Sequence, residues 1–241
     1  MNIAIIIAGG KGERMHQDIP KQFINVNDKP VIIYTLEAFQ AHPDIDSIFV
    51  VCLDGWHEIL RAYAKQFNIT KLEEIVSGGE TGQASIRNGV YAVKEKYSDD
   101  DIVIVHDGIR PMVSAEIISD CIAKCKLYGS AVAAIPCVEA VLVTDDKEKS
   151  NSVFFDRNKD RNKLMRIQAP QAFHLKKLVW AHEEAKRRNI TNSVTSCTLM
   201  IELGETVYFS AGSEKNIKLT TVEDIEIFKA LLATKKDDWL K

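Results

Sequence analysis

The sequence predicts an α/β fold: a doubly wound, mostly parallel sheet flanked by helices, with a β-hairpin arm projecting from it. Three observations point there. The chain opens on an unbroken apolar run from Ile3 to Ala8, short and rich in Ile, which reads as a strand buried on both faces. From residue 3 to residue 135, runs of this kind alternate with amphipathic stretches of helical period. Three of the runs end in glycine turns or an acid, where open parallel sheets of this Rossmann-like type take up ligands.

The first such end holds Gly9, Gly10 and Gly12, followed by Arg14 and Lys21. Glycines after a buried strand let the backbone approach a ligand closely, and successive N–H groups form an anion-binding concavity. With two cations beside it, the loop suggests a ligand carrying several phosphates. It is not the dinucleotide fingerprint, because Met15 stands where the third glycine belongs. Nor is it a P-loop, because Lys11 is followed by Gly12. A purely structural turn is the plain alternative.

Pro30 then marks a helix start, with Ile32, Leu36 and Phe39 at helical spacing and Pro43 closing the pattern. Residues 47–53 read as a strand, 56–67 as a helix and 74–76 as a short strand. A second glycine turn, Ser77-Gly78-Gly79-Glu80, leads into a helix over 81–96. The strand at 101–106 runs into His106-Asp107-Gly108-Ile109-Arg110-Pro111, and a helix at 115–128 and a strand at 130–135 follow. Asp107 is placed to hold Mg²⁺, which takes one or two carboxylates together with substrate phosphates. A lone acid at a strand end is as readily a cap or turn former, and His106 alone reads as a packing residue.

Beyond residue 137 the texture changes. Strand candidates at 140–144 and 152–155 flank a polar turn, and 156–166 is dense in charges of both signs. This predicts an arm over about 138–166 whose Val141, Val143, Val153, Phe154 and Phe155 are too few to form a core of their own. A two-fold copy of the same arm is the simplest cover, so a homodimer is expected; a solvated surface excursion is the alternative. A helix at 175–188, a helical stretch within 193–202 and a strand at 206–210 come next. The last helix opens on the capping-box spacing of Thr220 and Glu223, with Val222, Ile225, Phe228 and Leu232 as its apolar face. Residues 1–241 thus read as a single domain carrying one arm.

Composition narrows the partners. A net charge of −3 does not suit a polymeric nucleic acid. No apolar segment approaches the roughly 18–20 residues that span a membrane, and the first residues lack the features of a signal peptide. The cysteines number five and are scattered, which precludes a complete disulfide framework. Cys121 and Cys125 read as reduced core residues, and a cytoplasmic location is expected.

Five stretches resemble, in order and over nearly the whole chain, the motifs of the cytidylyltransferases that act on methylerythritol 4-phosphate and ribitol 5-phosphate. They are Ala8-Gly9-Gly10…Gly12…Arg14-Met15 with Pro20-Lys21-Gln22-Phe23; Gly78-Gly79…Ser85-Ile86; His106-Asp107…Arg110-Pro111; Asp160-Arg161 with Pro170-Gln171…Phe173; and Asn216-Ile217-Lys218-Leu219-Thr220. The resemblance implies CTP as substrate, Mg²⁺, a small polyol or sugar phosphate as acceptor, release of pyrophosphate and a homodimer. It implies catalytic roles for Arg14, Lys21 and Lys218. Nucleotide binding would fall to Ala8, Gly9, Gly10, Gly12, Gly78, Gly79, Ser85 and Asp107, the last also taking the metal. Arg110, Glu139 and Arg161 would serve the acceptor, with Arg161 reaching the neighbouring subunit's site.

The departures from the family pattern gather on the acceptor side. Ala140 and Ala169 stand in place of Thr, and Val194-Thr195 in place of a Thr-Asp pair, whereas Gly82, in place of an Arg, bears instead on the contacts of the nucleotide loop. This favours ribitol 5-phosphate, with methylerythritol 4-phosphate or a non-catalytic nucleotide-binding homologue as the alternatives.

Overall fold

The computed structural model describes residues 1–10, 19–139, 141 and 163–234. At its centre lies β1 (Asn2–Ala8), paired in parallel with β4 (Ser47–Cys52) on one side and β6 (Ile102–Asp107) on the other. Alternate side chains of β1 leave by opposite faces, and both faces are buried. Ala4, Ile6 and Ala8 join one core with Phe39 and Ile118, whereas Ile3 and Ile5 join another with Val90 and Leu178. This is why the opening run is apolar without alternation.

Between β1 and β4 come two short strands, β2 (Asn25–Val26) and β3 (Lys29–Pro30), and α1 (Val31–Ala41), for which Pro30 is the cap residue. After β4 follow α2 (His57–Gln66), β5 (Leu72–Ser77), longer than the three residues expected, and α3 (Gly82–Lys94). Gly89 lets α3 lie against the sheet: a Cβ there would stand 2.7 Å from Ile5 and 2.8 Å from Val51. Helix α4 (Ala115–Tyr128) and β7 (Ser130–Pro136) match their sequence patterns closely. Cys121 and Cys125 are fully buried on α4, and burial pushes both thiols up to about 12.

The sequence reading missed one central element. β8 (Met165–His174) enters the sheet antiparallel between β6 and β7, completing the order β5-β4-β1-β6-β8-β7-β9. Its sequence, MRIQAPQAFH, contains Pro170 and few β-branched residues, which argues against an interior strand. The pairing accommodates this: Val132 faces Gln171 and Ala134 faces Ile167, so residues 168–170 bulge out of register opposite Ala133.

The remaining elements are α5 (Leu175–Arg187), α6 (Ser196–Glu202), β9 (Phe209–Ala211) and α7 (Val222–Thr234). β9 is shorter than the strand expected at 206–210 and begins later. The cap of α7 lies one residue beyond the expected box. Thr221 Oγ1 accepts from the Asp224 amide, and Asp224 Oδ2 accepts from the amides of Thr220 and Thr221. Val222 is consequently about half exposed, while Ile225 and Phe228 carry the buried face. Gly12, Arg14, Arg161 and most of the expected arm, including both its strand candidates except Val141, lie outside the described residues.

Candidate active site

Two glycine turns meet at the carboxyl end of the sheet. Gly9 follows β1, Gly78 follows β5, and they touch backbone to backbone. A Cβ on either would stand 3.3 Å from the other's Cα. Each turn has its own brace. Gln22, almost fully buried, donates to the carbonyls of Ala8 and Gly10 at 2.8 and 3.1 Å. Ser85, on α3, accepts from the Gly79 amide at 3.0 Å, so its hydroxyl supports the turn from within. Phe23 stacks on Trp56 with ring centroids 4.5 Å apart, which anchors the short helical turn Lys21–Phe23.

Asp107 is the last residue of β6 and lies level with Ile7 across the β1–β6 ladder. Its carboxylate is the centre of a charged cluster: Oδ1 accepts from Lys218 Nζ at 3.0 Å and Oδ2 from Arg110 Nε at 2.9 Å. Burial works to raise its pKa, but the Lys218 and Arg110 cations outweigh that and hold the carboxyl below the ordinary carboxylate range. Below it, His106 is fully buried, its Nε2 3.2 Å from the Arg110 carbonyl, and burial depresses its pKa to about 4. The imidazole is therefore neutral packing at physiological pH, as its lone position in the sequence suggested.

Lys218 sits on a strap formed by residues 213–219. Asn216, with no exposure, donates to the Ala169 carbonyl at 2.7 Å, and its own carbonyl accepts from Arg110 at 2.7 Å. Gln168, in the β8 bulge, donates to the Ser213 carbonyl at 2.9 Å and accepts from the Ser213 amide at 3.1 Å. The Leu219 amide donates to the Ile109 carbonyl at 2.9 Å. The bulge, the strap and the end of β6 are thus one hydrogen-bonded unit that aims Lys218 at Asp107.

Beside this cluster opens a cavity of about 380 Å³. Asp107, Arg110 and Lys218 line its charged side; Gly82, Ile86, Ala169 and Val194 contribute to its apolar side. A larger cleft of about 470 Å³ runs from Gly79 along α3 to Lys186, but it holds none of the charged trio. Of the two, it is the smaller cavity that the charged trio borders.

Of the residues expected from sequence, the structure brings together Ala8, Gly9, Gly10, Gly78, Gly79 and Ser85 on one side of Ile7, and Asp107, Arg110 and Lys218 on the other. Lys21 begins the turn braced by Trp56. Glu139 is exposed and does not line the cavity. Gln22, Gln168 and Asn216 were missed as functional positions. All three are buried amides that hold the backbone of the site, and a buried amide carries no signature in sequence except its motif neighbours.

A sheet with glycine turns at its carboxyl end and a cation-flanked carboxylate beside them fits a nucleotidyltransferase. A family profile described as 2-C-methyl-D-erythritol 4-phosphate cytidylyltransferase matches residues 2–234. The chain belongs to that family. It is 45% identical over 238 residues to the ribitol-5-phosphate cytidylyltransferase of Lacticaseibacillus paracasei, covering 98% of this chain and 100% of the relative. Identity to a 2-C-methyl-D-erythritol 4-phosphate cytidylyltransferase of Clostridium botulinum is 36% over 232 residues, 96% of this chain and 97% of that one. The crystal structure of 2-C-methyl-D-erythritol 4-phosphate cytidylyltransferase from Thermus thermophilus superposes with a TM-score of 0.76 at 25% identity, covering 97% and 100% of the two chains.

Proposed function

We propose that this chain transfers the cytidylyl group of CTP to ribitol 5-phosphate and releases pyrophosphate. The observation that carries the reading is the Asp107–Arg110–Lys218 cluster, poised between the glycine turns and a cavity walled by small and apolar residues. The higher identity to ribitol-5-phosphate cytidylyltransferases supports the choice of acceptor.

The mechanism follows from charge. An oxygen of the acceptor's phosphate attacks the α-phosphorus of CTP; that P–O bond forms as the bond from the α-phosphorus to its bridging oxygen breaks, and pyrophosphate leaves. The attacking oxygen is already ionised, so no protein nucleophile or base is required. Catalysis is positioning and stabilisation of crowded negative charge. Lys21 and Arg14 would hold the triphosphate from the glycine-loop side, and Lys218 would leave Asp107 to meet the phosphates from the other. Arg110 holds Asp107 and the strap in place, and Arg161 would serve the acceptor phosphate. A single hard carboxylate beside a phosphate site fits Mg²⁺, which needs no more protein ligands than that. Bound by Asp107 and the nucleotide, the ion would screen the triphosphate. The homodimer remains part of this reading, with Arg161 completing the neighbouring subunit's acceptor site; activity regained on mixing Arg161→Ala with Lys21→Ala chains tests that sharing, and no recovery despite subunit exchange would place Arg161 in its own chain's site or in none.

Pyrophosphate release from CTP across a panel of polyol phosphates tests the function. We expect kcat/KM for ribitol 5-phosphate to exceed that for 2-C-methyl-D-erythritol 4-phosphate by about 10-fold or more, the scale at which contacts to substrate hydroxyls discriminate. The reverse order overturns the choice of acceptor. CTP should raise Tm by mass action where ATP and GTP do not.

A further inference from the structure

Most glycines of this chain are explained by the fold. Gly9, Gly78, Gly79, Gly89, Gly108 and Gly212 have neighbours too close for a comfortable Cβ, and Gly55, Gly129 and Gly204 have positive φ. Among the described residues, two have neither reason: Gly10 and Gly82, where a Cβ would meet nothing within 4 Å. Gly10 belongs to the nucleotide loop. Gly82 is the first residue of α3 and lines the cavity beside Asp107. One turn on, Ile86 lines the same cavity, as residues four apart share a helix face. Glycine is a poor helix former, so local structure does not favour it there either. What remains is the space it leaves.

Ser196, the first residue of α6, lines the same cavity. Its hydroxyl is buried with no hydrogen-bond partner among the described residues. A buried hydroxyl without a partner costs stability, and a serine hydroxyl reorients about a single bond.

We infer that Gly82 and Ser196 form the subsite for the distal end of the acceptor's carbon chain. Gly82 leaves the depth that a five-carbon polyol needs beyond its phosphate, and Ser196 supplies a hydrogen bond to one of its hydroxyls. This rests on the acceptor reading above and extends it from the phosphate to the polyol tail. Both are positions of specificity; neither touches the reacting phosphates.

Steady-state kinetics of the full-length Gly82→Leu and Ser196→Ala proteins, with ribitol 5-phosphate and the shorter erythritol 4-phosphate, test it. Filling the subsite in Gly82→Leu should raise KM for ribitol 5-phosphate by about 10-fold or more. The loss should be smaller for the four-carbon acceptor, and KM for CTP should stay within about two-fold. Ser196→Ala should raise the ribitol 5-phosphate KM several-fold with no fall in Tm, because it breaks no bond within the protein. Unchanged acceptor KM in Gly82→Leu, equal losses on both acceptors, or a matching rise in KM for CTP would overturn the subsite. No turnover of ribitol 5-phosphate by the unsubstituted chain would instead sink the functional reading.

Discussion

The two halves of the site are built on opposite plans. On the nucleotide side, backbone packs on backbone: Gly9 and Gly78 are in contact, Gly79 crowds Ala84, and buried Gln22 and Ser85 tie off the turns. On the acceptor side, Gly82, Ile86, Ala169 and Val194 border open space beside side chains held by hydrogen bonds: the charged trio, its strap, and Gln171, which accepts from the Cys197 amide. The first plan leaves little tolerance for a side chain at Gly9, Gly78 or Gly79 and suits a ligand that never changes. The second lets single substitutions change depth and hydrogen bonding while the sheet stays as it is. Selection can therefore vary the acceptor without disturbing the triphosphate site.

The sharpest way to break this comparison is to remove one charge from each half. Lys21→Ala and Lys218→Ala should each lower kcat by about 10²-fold or more, the scale seen when one preorganised charge-stabilising donor is lost. Neither residue is buried, so both variants should fold, with Tm lower in Lys218→Ala because Asp107 loses one of its two cations. A Lys218→Ala enzyme with near-normal kcat would mean that the Asp107 ion pair is structural only.

pH separates the charged cluster from the core beneath it. Asp107 stays ionised to below the ordinary carboxylate range, so the cluster keeps its charge throughout moderate acid. His106 and His182 are both buried, and burial depresses each to about 4. Their folded pKa lies under the unfolded value of about 6.5, so the unfolded chain takes up protons first as pH falls. Stability should be full above about pH 6.5 and lost progressively toward pH 4, by at most on the order of 3 kcal/mol per histidine. Neither ring nitrogen of His182 has a partner among the described residues. His182→Leu should accordingly leave Tm at neutral pH unchanged or higher and flatten the acid decline. An acid limb as steep as before would show that other groups carry it.

The contrast between the halves also explains what could be read in advance. The parallel strands and the glycine turns were legible because double-sided burial and tight backbone contact leave few residue types to choose from. Asp107, Arg110 and Lys218 were legible as motif residues, although spacing alone could not bring residues 107 and 218 together. β8 was not legible. Its Pro170 and its glutamines serve the bulge and the strap, so local strand preference is overridden by what the site needs. Gly82 and Ser196 were equally opaque as a pair, since open space and an unpartnered hydroxyl are properties of a fold and not of a sequence.

The smallest effect, and the most direct reading of the two plans, is the response of two glycines in adjoining turns to one methyl group. At Gly79 a Cβ would stand 2.5 Å from the Ala84 Cβ and 2.8 Å from its carbonyl carbon. Neither atom is the end of a flexible side chain, so α3 or the turn must shift, and overpacking of that kind costs about 1–3 kcal/mol. For a chain of this size that is a fall in Tm of several degrees. At Gly10 the same methyl group meets nothing within 4 Å among the described residues, and φ is not in the left-handed region. Gly10→Ala should therefore leave Tm within about 1 °C, as surface changes usually do. If Gly10 binds the nucleotide as proposed, the cost of the methyl group should appear as a several-fold rise in KM for CTP. Thermal unfolding of both variants with and without CTP reads the two effects separately. If Gly79→Ala melts like the unsubstituted protein, the nucleotide side is as forgiving as the acceptor side, and the distinction drawn between them falls.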